Sequence, residues 1–302
     1  MLFGAAELNE PVSSTTDQRM KIPFWKLESI GNDFPMFHLS DVATLGPDVD
    51  GALKKLAIFA SDRRFGIGGD GILAVGLEGE DVRLRMFNPD GSEDFCGNGI
   101  RCAARHVHEL GWVGFEFNIL HLDRKVPCSV EHEKISTTIG IADYTPEKVP
   151  HKNGELFNQT VWSGMDSGMP LSLFGSALTT GSTHVVIPTT VIPDDDGFVS
   201  ISSKIEVDPL YPQRTSVIWT KEVEPMKLQI RIWERAVGET QGCGTGSSAA
   251  AADYLRRKGK GGTVEVINPG GSIFVSMGSW NSPITIVGEA REVYRGTLEF
   301  SP

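Results

Sequence analysis

The sequence predicts an α+β fold built from two similar domains, and three observations carry this prediction. Many short segments alternate apolar and polar residues with the period of two that is typical of strands. Only two segments have good helical character. Each of them begins at the same cysteine- and glycine-rich motif, which occurs once in each half of the 302-residue chain. Two copies so far apart indicate a duplicated domain rather than a short-period repeat.

Seven segments are predicted as strands. Because successive side chains of a strand point to opposite faces of its sheet, alternating segments bury one face and expose the other. In chain order they span 82–86, 135–141, 217–220, 228–232, 263–267, 273–277 and 284–287.

The two helices are predicted over about 98–110 and about 245–258. The first stops at Gly111, and the second, which is rich in alanine, stops before Gly259. Glycine just past the last turn is the usual stop signal, because it adopts the left-handed conformation without strain.

The chain divides near its middle. Residues 142–156 hold two prolines, a glycine and mostly polar side chains, so we predict a linker there. The domains on either side of it span 21–143 and 157–290. Residues 1–20 have neither a basic stretch nor a long apolar one, and they are predicted to be a disordered extension rather than a signal peptide.

The two motifs share the pattern C-G-x-G-x-x-x-A-A. The first starts at Cys96 and the second starts at Cys243, 147 residues later. A cysteine at a helix N-terminus lies beside unpaired backbone N–H groups and the positive end of the helix dipole, which we expect to lower the thiol pKa. The same N–H groups can hold a carboxylate.

Two such helix ends facing each other would hold one carboxylate and place a thiol on each side of the neighbouring carbon. One cysteine would remove a proton from a stereocentre, and the other would return a proton to the opposite face. A buried cysteine is otherwise most often a small, inert apolar residue. That interpretation is kept for Cys102 and Cys128, whereas the matched glycine contexts favour a function for Cys96 and Cys243.

Composition argues against several classes of protein. The chain has 28 Lys and Arg against 39 Asp and Glu, a net charge of −11, which is opposite to that of a nucleic-acid-binding protein. No apolar run approaches the roughly 18 residues that span a bilayer, so no membrane association is expected. Four cysteines without zinc-ribbon spacing predict neither a disulfide scaffold nor a metal site. The expected setting is the reducing cytoplasm.

Three other functions fit the sequence less well. Residues 66–71 form a G-x-G-x-x-G, but a charged segment precedes them and predicted strands follow, whereas a dinucleotide site needs a strand before and a helix after. A thiol oxidoreductase would place its cysteines in C-x-x-C, which is absent. A non-catalytic binding domain would have no need for two cysteines in matched glycine contexts.

With its two cysteine motifs, the chain resembles the diaminopimelate epimerase family, the cofactor-independent amino-acid racemases with two catalytic cysteines. The resemblance covers about residues 21–300, and its motifs occur in family order. They are SIGNDF at 29–34, DRRFGIGGDG at 62–71, FNPDGS at 87–92 with CGNGIRC at 96–102, ERAVGETQGCGTG at 234–246, PGG at 269–271 and VYRG at 293–296.

The resemblance implies two pseudo-symmetric domains, each a strongly curved, mostly antiparallel sheet wrapped around a central helix. It implies that a strand at 291–302 returns to the first domain, that no cofactor takes part, and that the protein is a homodimer. The implied reaction converts LL-diaminopimelate to meso-diaminopimelate by a thiol/thiolate pair. That reaction supplies lysine and a cell-wall precursor.

The roles of family residues carry over to matching positions. Cys96 and Cys243 match the acid–base pair, His184 matches a histidine near the first cysteine, and Glu234 matches an acid near the second. The histidine and the acid are thought to tune or relay the thiol protons. The matching substrate-binding positions are Asn32, Asn88, Gly97, Asn98, Ser182, Ser216, Arg235, Gly244 and Thr245.

Two of these positions depart from the family pattern. Ser182 and Ser216 stand where the family usually has asparagines that hold the end of diaminopimelate remote from the reacting carbon. Asn88 and Arg235, which serve the same end, are present. The chemistry is therefore predicted to be intact with an altered pocket, and racemisation of another amino acid, such as histidine, is the alternative.

Overall fold

A computed structural model describes residues 19–149, 151, 154–166 and 168–301. Residues 1–18 of the predicted extension lie outside the described residues, and Met20 already begins the first strand. None of the helices in the described part combines the length and apolarity that a membrane crossing requires. The helices are α1 (Leu39–Val42), α2 (Val49–Ala60), α3 (Gly97–Glu109), α4 (Asp195–Glu206) and α5 (Gly244–Lys258), with a 3-10 turn at Ala43–Leu45.

The strands fall into two sets. The first half holds β1 (Met20–Ser29), β2 (Asn32–His38), β3 (Ile72–Glu78), β4 (Asp81–Phe87), β5 (Glu116–His121), β6 (Arg124–Glu131) and β7 (Lys134–Ile139). The second half holds β8 (Gln159–Asp166), β9 (Met169–Thr179), β10 (Thr183–Pro188), β11 (Ser216–Glu224), β12 (Lys227–Glu234), β13 (Gly238–Thr240), β14 (Gly262–Asn268), β15 (Gly271–Met277) and β16 (Ile284–Glu289), and β17 (Arg291–Phe300) follows. All seven predicted strands are confirmed, and α3 and α5 are the two predicted helices.

The pairing pattern shows that the two halves repeat one another. From β1 to β7, successive pairings are antiparallel, parallel, antiparallel, parallel, antiparallel and antiparallel. The strands β9, β10, β11, β12, β14, β15 and β16 give the same series. Because parallel neighbours need a crossover connection, α2 and α4 occupy equivalent crossovers, and so do α3 and α5.

Each half wraps its strands around one buried helix. Strands from both ends of the pairing order, from β1 to β7 and β17, contact α3, so the sheet is strongly curved. In the same way α5 contacts strands from β9 to β16. The four alanines at 249–252 on α5 are all at most 1% exposed, and such small side chains let strands approach the helix from every side. The predicted fold class is confirmed.

One further strand lies at the outer edge of each repeat. In the second half, β8 pairs antiparallel with β9, which follows it in the chain. The equivalent place beside β1 is taken by β17, with Met20 opposite Phe300 and Glu28 opposite Arg291. The last strand of the chain, β17, therefore completes the sheet of the first half.

Strand pairing and a tight turn join the two halves. The strands β7 and β16 pair antiparallel, from Ile139 opposite Ile284 to Lys134 opposite Glu289. The turn between β1 and β2 packs against the second half, and a Cβ on Gly270 would lie 2.1 Å from the carbonyl oxygen of Ile30. Only glycine permits so close an approach of two backbones.

The segment predicted as a linker packs into the second half. Ala142 and Tyr144 lie in the core around α5, and Val149 and Leu156 lie in the core beneath α4. Asp143 exchanges two backbone hydrogen bonds with Thr179, of 3.0 and 2.8 Å. The segment is therefore a packed connection rather than an open linker, and the domain limits 21–143 and 157–290 stay a prediction.

The contact at the β1–β2 turn makes the first testable prediction. Gly270→Ala is expected to lower the free energy of unfolding by about 1–3 kcal/mol, the usual cost of overpacking, because the new methyl group would overlap a backbone oxygen. Urea denaturation measures this change. Gly114→Ala is the control, since its Cβ would meet no atom within 4 Å. Equal destabilisation by the two changes would contradict the packing argument.

Candidate active site

The two motif cysteines occupy equivalent positions at the N-termini of the central helices. Cys96 is the N-cap of α3 with φ −136° and ψ 109°, and Cys243 is the N-cap of α5 with φ −135° and ψ 118°. Each sulfur accepts a hydrogen bond from the first turn of its own helix, from Gly99 N–H at 3.2 Å and from Gly246 N–H at 3.4 Å. The repeated sequence therefore gives a repeated local geometry.

The two helix N-termini meet. The side-chain amide of Asn98, in the first turn of α3, donates to the carbonyl oxygen of Gly242 at 3.0 Å, immediately before Cys243. A Cβ on Gly244 would lie 3.7 Å from Asn98 Oδ1. The backbone N–H groups of both helix ends are thus gathered in one place, as the duplicated motif predicts. A Cβ on Gly97 would meet no atom within 4 Å, so there is open space beside this backbone.

A polar residue two positions after each cysteine contacts the beginning of an equivalent strand, which is β2 in the first half and β10 in the second. In the first half, Asn98 donates to Asn32 Oδ1. In the second half, the hydroxyls of Thr245 and Ser182 lie 3.3 Å apart. The amide of Asn32 in turn donates to Asp70 at 3.0 Å. Asp70 therefore fixes which way Asn32 presents its amide, a role that the sequence analysis did not assign.

Glu234 lies beside Cys243. Its carboxylate accepts a hydrogen bond from the Thr240 hydroxyl at 2.6 Å, and it lies near enough to the Cys243 thiol for each group to shift the pKa of the other. Burial raises the pKa of Glu234, and its charge acts on Cys96 as well as on Cys243. The acid predicted near the second cysteine is therefore in contact with it.

The hydrogen bonds of His184 lead towards the second cysteine rather than the first. Its Nε2 lies 3.1 Å from the Ser182 hydroxyl, which reaches Thr245. The Thr245 hydroxyl lies 3.3 Å from the Cys243 sulfur. His184 is 1% exposed, and burial lowers its pKa to about 3, so its imidazole is neutral at physiological pH. A chain of two hydroxyls thus joins a neutral histidine to one thiol.

The two motif thiols are less acidic than the sequence predicts. Burial raises the pKa of Cys96 to about 11 and raises that of Cys243 further still. The backbone hydrogen bonds from Gly99 and Gly246 act in the expected direction, but removal from water outweighs them. The prediction that helix position alone lowers these pKa values is therefore wrong. Cys102 and Cys128, which were assigned no function, are buried as well.

Three predicted substrate ligands are engaged with the protein itself. Asn88 donates to Ser92 Oγ at 3.1 Å within its own turn. Ser216 Oγ accepts the backbone N–H of Arg235 at 3.0 Å, and the exposed guanidinium of Arg235 donates to the carbonyl oxygen of Gln213 at 3.2 Å. Any contact that these side chains make with a ligand must therefore be added to these bonds or replace them.

A buried histidine that the sequence analysis missed supports the first cysteine. His121, at the end of β5, accepts the backbone N–H of Cys96 on Nε2 at 3.1 Å, and its Nδ1 bonds to the carbonyl oxygen of Leu84 at 3.2 Å. Burial lowers its pKa to about 4, so it accepts this bond as a neutral ring. His121 lies outside every motif, so no sequence pattern pointed to it. Within the described residues, no group of three or more His, Cys, Asp and Glu side chains is placed to hold a metal ion.

Solved structures share this two-half architecture. A PhzF-family phenazine biosynthesis protein of Bacillus anthracis superposes with a TM-score of 0.62 at 18% identity, over 92% of this chain and 99% of that one. A hydroxyproline epimerase of Agrobacterium vitis gives 0.62 at 11% identity, over 93% and 92%. At these identities the likeness defines the class of fold.

Sequence comparison defines the family. The family model described as diaminopimelate epimerase matches residues 30–144 and 176–293. The diaminopimelate epimerase of Nitrosomonas eutropha is 30% identical over 93% of this chain and 100% of its own length. That of Burkholderia pseudomallei is 32% identical over 93% and 99%. The chain belongs to the diaminopimelate epimerase family, and it is an isomerase.

The raised thiol pKa values predict the pH dependence of alkylation. Only the thiolate reacts, so labelling of Cys96 by iodoacetamide should increase about tenfold per pH unit up to its pKa, which is about 11. Cys243 should label more slowly at each pH. Mass spectrometry of the labelled peptides follows both sites. The urea-unfolded protein is the reference, with a pKa of about 8.5 for each thiol. A plateau for folded Cys96 below pH 8 would contradict the dominance of burial.

Proposed function

We propose that this chain interconverts LL- and meso-diaminopimelate without a cofactor, with Cys96 and Cys243 as the two proton-transferring groups. The observation that carries the proposal is the meeting of two equivalent helix N-termini, each capped by one of these thiols. The family relationship supports the substrate, and the geometry supports the reaction type.

The proposed reaction removes one proton from the α-carbon of the substrate and adds another proton to the opposite face. A thiolate takes the proton from the α-carbon and becomes a thiol, and the electron pair left behind is delocalised into the carboxylate. Backbone N–H groups at the two helix ends stabilise that negative charge. The second thiol then donates its proton to the opposite face and becomes a thiolate, so the charge of the protein is unchanged and the configuration is inverted.

Burial makes this pair strongly basic. A proton beside a carboxylate is only feebly acidic, so its removal needs a base whose conjugate acid has a high pKa. The raised pKa of each buried thiol supplies that basicity once the thiolate has formed. The same burial disfavours ionisation of the thiol, so a thiolate forms only where a positive charge lies nearby. A bound amino acid brings its own ammonium group to the site.

The two thiols are supported by different groups. Cys243 contacts Glu234 and is linked through Thr245 and Ser182 to His184. We assign to these groups the return of the Cys243 proton between turnovers. This assignment differs from the expectation that His184 serves Cys96.

Recognition of the remote end of the substrate is assigned to Asn88, Ser182, Ser216 and Arg235. The exposed guanidinium of Arg235 is the group best suited to a carboxylate, because its planar fork can donate two hydrogen bonds. The reducing setting suits a chain whose four cysteines are all free, so we place the protein in the cytoplasm. The homodimer implied by the family resemblance belongs to the same proposal, and light scattering tests it.

Solvent exchange tests the reaction and the substrate together. In D₂O, the protein should place deuterium on the α-carbon of diaminopimelate, and either Cys96→Ser or Cys243→Ser should remove nearly all interconversion of the LL and meso isomers, followed by chiral chromatography, because a serine hydroxyl ionises far less readily. Mass spectrometry of the amino acid measures the label. Cys102→Ser and Cys128→Ser are the controls and should retain exchange. Full activity in Cys243→Ser would overturn the two-thiol mechanism.

The two serines test the substrate further. The double change Ser182→Asn and Ser216→Asn is expected to lower the KM for diaminopimelate by about tenfold, since each restored contact contributes roughly 0.5–1.5 kcal/mol. Steady-state kinetics measures the change. Ser163→Asn, at an exposed position on β8, is the control. If the wild type exchanges the α-proton of histidine and not that of diaminopimelate, the pocket serves another amino acid.

A further inference from the structure

Arg101, on α3, is a buried cation without an acidic partner. Its side chain is 0% exposed, and no salt bridge joins it to any described residue. Its Nε donates to the Ser29 hydroxyl at 3.0 Å, its Nη1 donates to the Gly97 carbonyl oxygen at 3.5 Å, and its Nη2 donates to Asn98 Oδ1. Neutral oxygens thus accept its hydrogen bonds but leave its charge uncompensated, and an unpaired buried charge is unfavourable.

The side chain of Arg101 extends from the first half into the second. A Cβ on Gly244, at the start of α5, would lie 3.5 Å from Nη1, and a Cβ on Gly288, on β16, would lie 3.1 Å from Nε. Both glycines leave room for the guanidinium. It therefore lies between the N-termini of α3 and α5, one turn from Cys96 and beside the residue that follows Cys243.

This position is electrostatically unfavourable unless an anion shares it. The N-terminus of a helix carries a partial positive charge. Here two helix N-termini lie on either side of the full positive charge of Arg101. The groups that would act on Arg101 as anions once ionised are Cys102, Cys96 and Cys243. Its surroundings otherwise hold hydroxyls, amides and backbone carbonyls, so a cysteine thiolate is the anion that the protein itself can provide.

We propose that Arg101 is the fixed countercharge of the active-site thiolate: it offsets the charge of whichever of Cys96 and Cys243 has lost its proton, and because it is single it supports one thiolate at a time. This inference rests on the proposed function, because it takes Cys96 and Cys243 as the reacting pair. A two-base reaction needs one thiol and one thiolate, and a single unpaired guanidinium matches that requirement.

The other ionisable groups around the thiols do not perform this role. Glu234 contacts Cys243 from β12 and opposes thiolate formation at both cysteines. Neutral His184 and neutral His121 approach from β10 and β5. Burial raises the pKa of Cys102 and the neighbouring Arg101 lowers it, but Cys102 lies inside α3 rather than at a helix N-terminus and is not one of the reacting pair. The remaining charges are those of Asp70, which acts on Glu234, and Arg235, which acts on His184.

The test measures iodoacetamide labelling of Cys96 and Cys243 against pH, by peptide mass spectrometry, in the full chain without substrate. Arg101→Gln should slow labelling of Cys96 at pH 9 by about tenfold or more, a shift of at least about one pH unit, and Arg101→Lys should recover part of it. Arg256→Gln is the matched control. Arg256 is an internal arginine on α5, enclosed by the rings of Tyr144, Phe157 and Trp280, and its loss should leave the profile unchanged.

The sign of the change separates the two interpretations. If Arg101 only fills space, its replacement loosens the site and both thiols label faster, and that result, or an unchanged profile in folded Arg101→Gln, overturns the proposal. If Arg101→Gln does not fold, single-cysteine variants provide the test. In Cys96→Ser, the countercharge serves Cys243 alone, so above pH 11, where Cys96 of the wild type is itself largely ionised, Cys243 should label faster than in the wild type, and unchanged labelling there overturns the proposal. Labelling needs no substrate, so absence of diaminopimelate exchange would overturn the proposed function without altering these outcomes.

Discussion

Two helix N-termini packed against each other inside the protein impose the constraint on which the rest of the site depends. Their N–H groups concentrate positive potential at one point. That arrangement requires glycines where backbones touch, as at Gly242 and Gly270. It also requires an anion, because Arg101 adds a full charge to the two partial ones. A carboxylate ligand and a thiolate satisfy this requirement together.

The repeat makes the two halves equivalent in backbone but not in chemistry. The pair Asn32 and Asn98 in the first half corresponds to Ser182 and Thr245 in the second. An amide pair fixes positions, whereas a hydroxyl pair can also pass a proton, because each hydroxyl both donates and accepts. The two faces of a bound stereocentre would therefore meet thiols of unequal proton affinity, and Cys243, 8% exposed, is the more enclosed.

Local pattern was sufficient to predict much of the fold. Period-two segments located seven strands, and the glycines around Cys96 and Cys243 located α3 and α5. The helices α2 and α4 were missed for a physical reason. In α4, Val199, Ser200, Ile201 and Ser202 alternate as a strand would, although the buried residues Phe198, Ile201 and Ile205 follow helical spacing.

The chemistry of the site was harder to predict from the sequence than the fold was. The motifs identified the residues around the thiols. The direction of the thiol pKa shift depends on burial, which cannot be deduced from a local sequence pattern. The partners of the site residues are equally non-local. Asp70 orients Asn32 across 38 positions and His121 holds Cys96 across 25, so only the folded chain shows them.

The pairing of β17 with β1 sets the order in which the molecule can be completed during synthesis. On the ribosome, β8 is already present when β9 emerges, so the second half acquires its edge strand from its own neighbourhood. The outer edge of β1 stays open until residues 291–300 have been made, and an open edge can pair with other chains in that interval. The half that is translated first is thus the half finished last. A chain truncated before Arg291 would keep both cysteine motifs and lack the strand that closes the sheet behind α3.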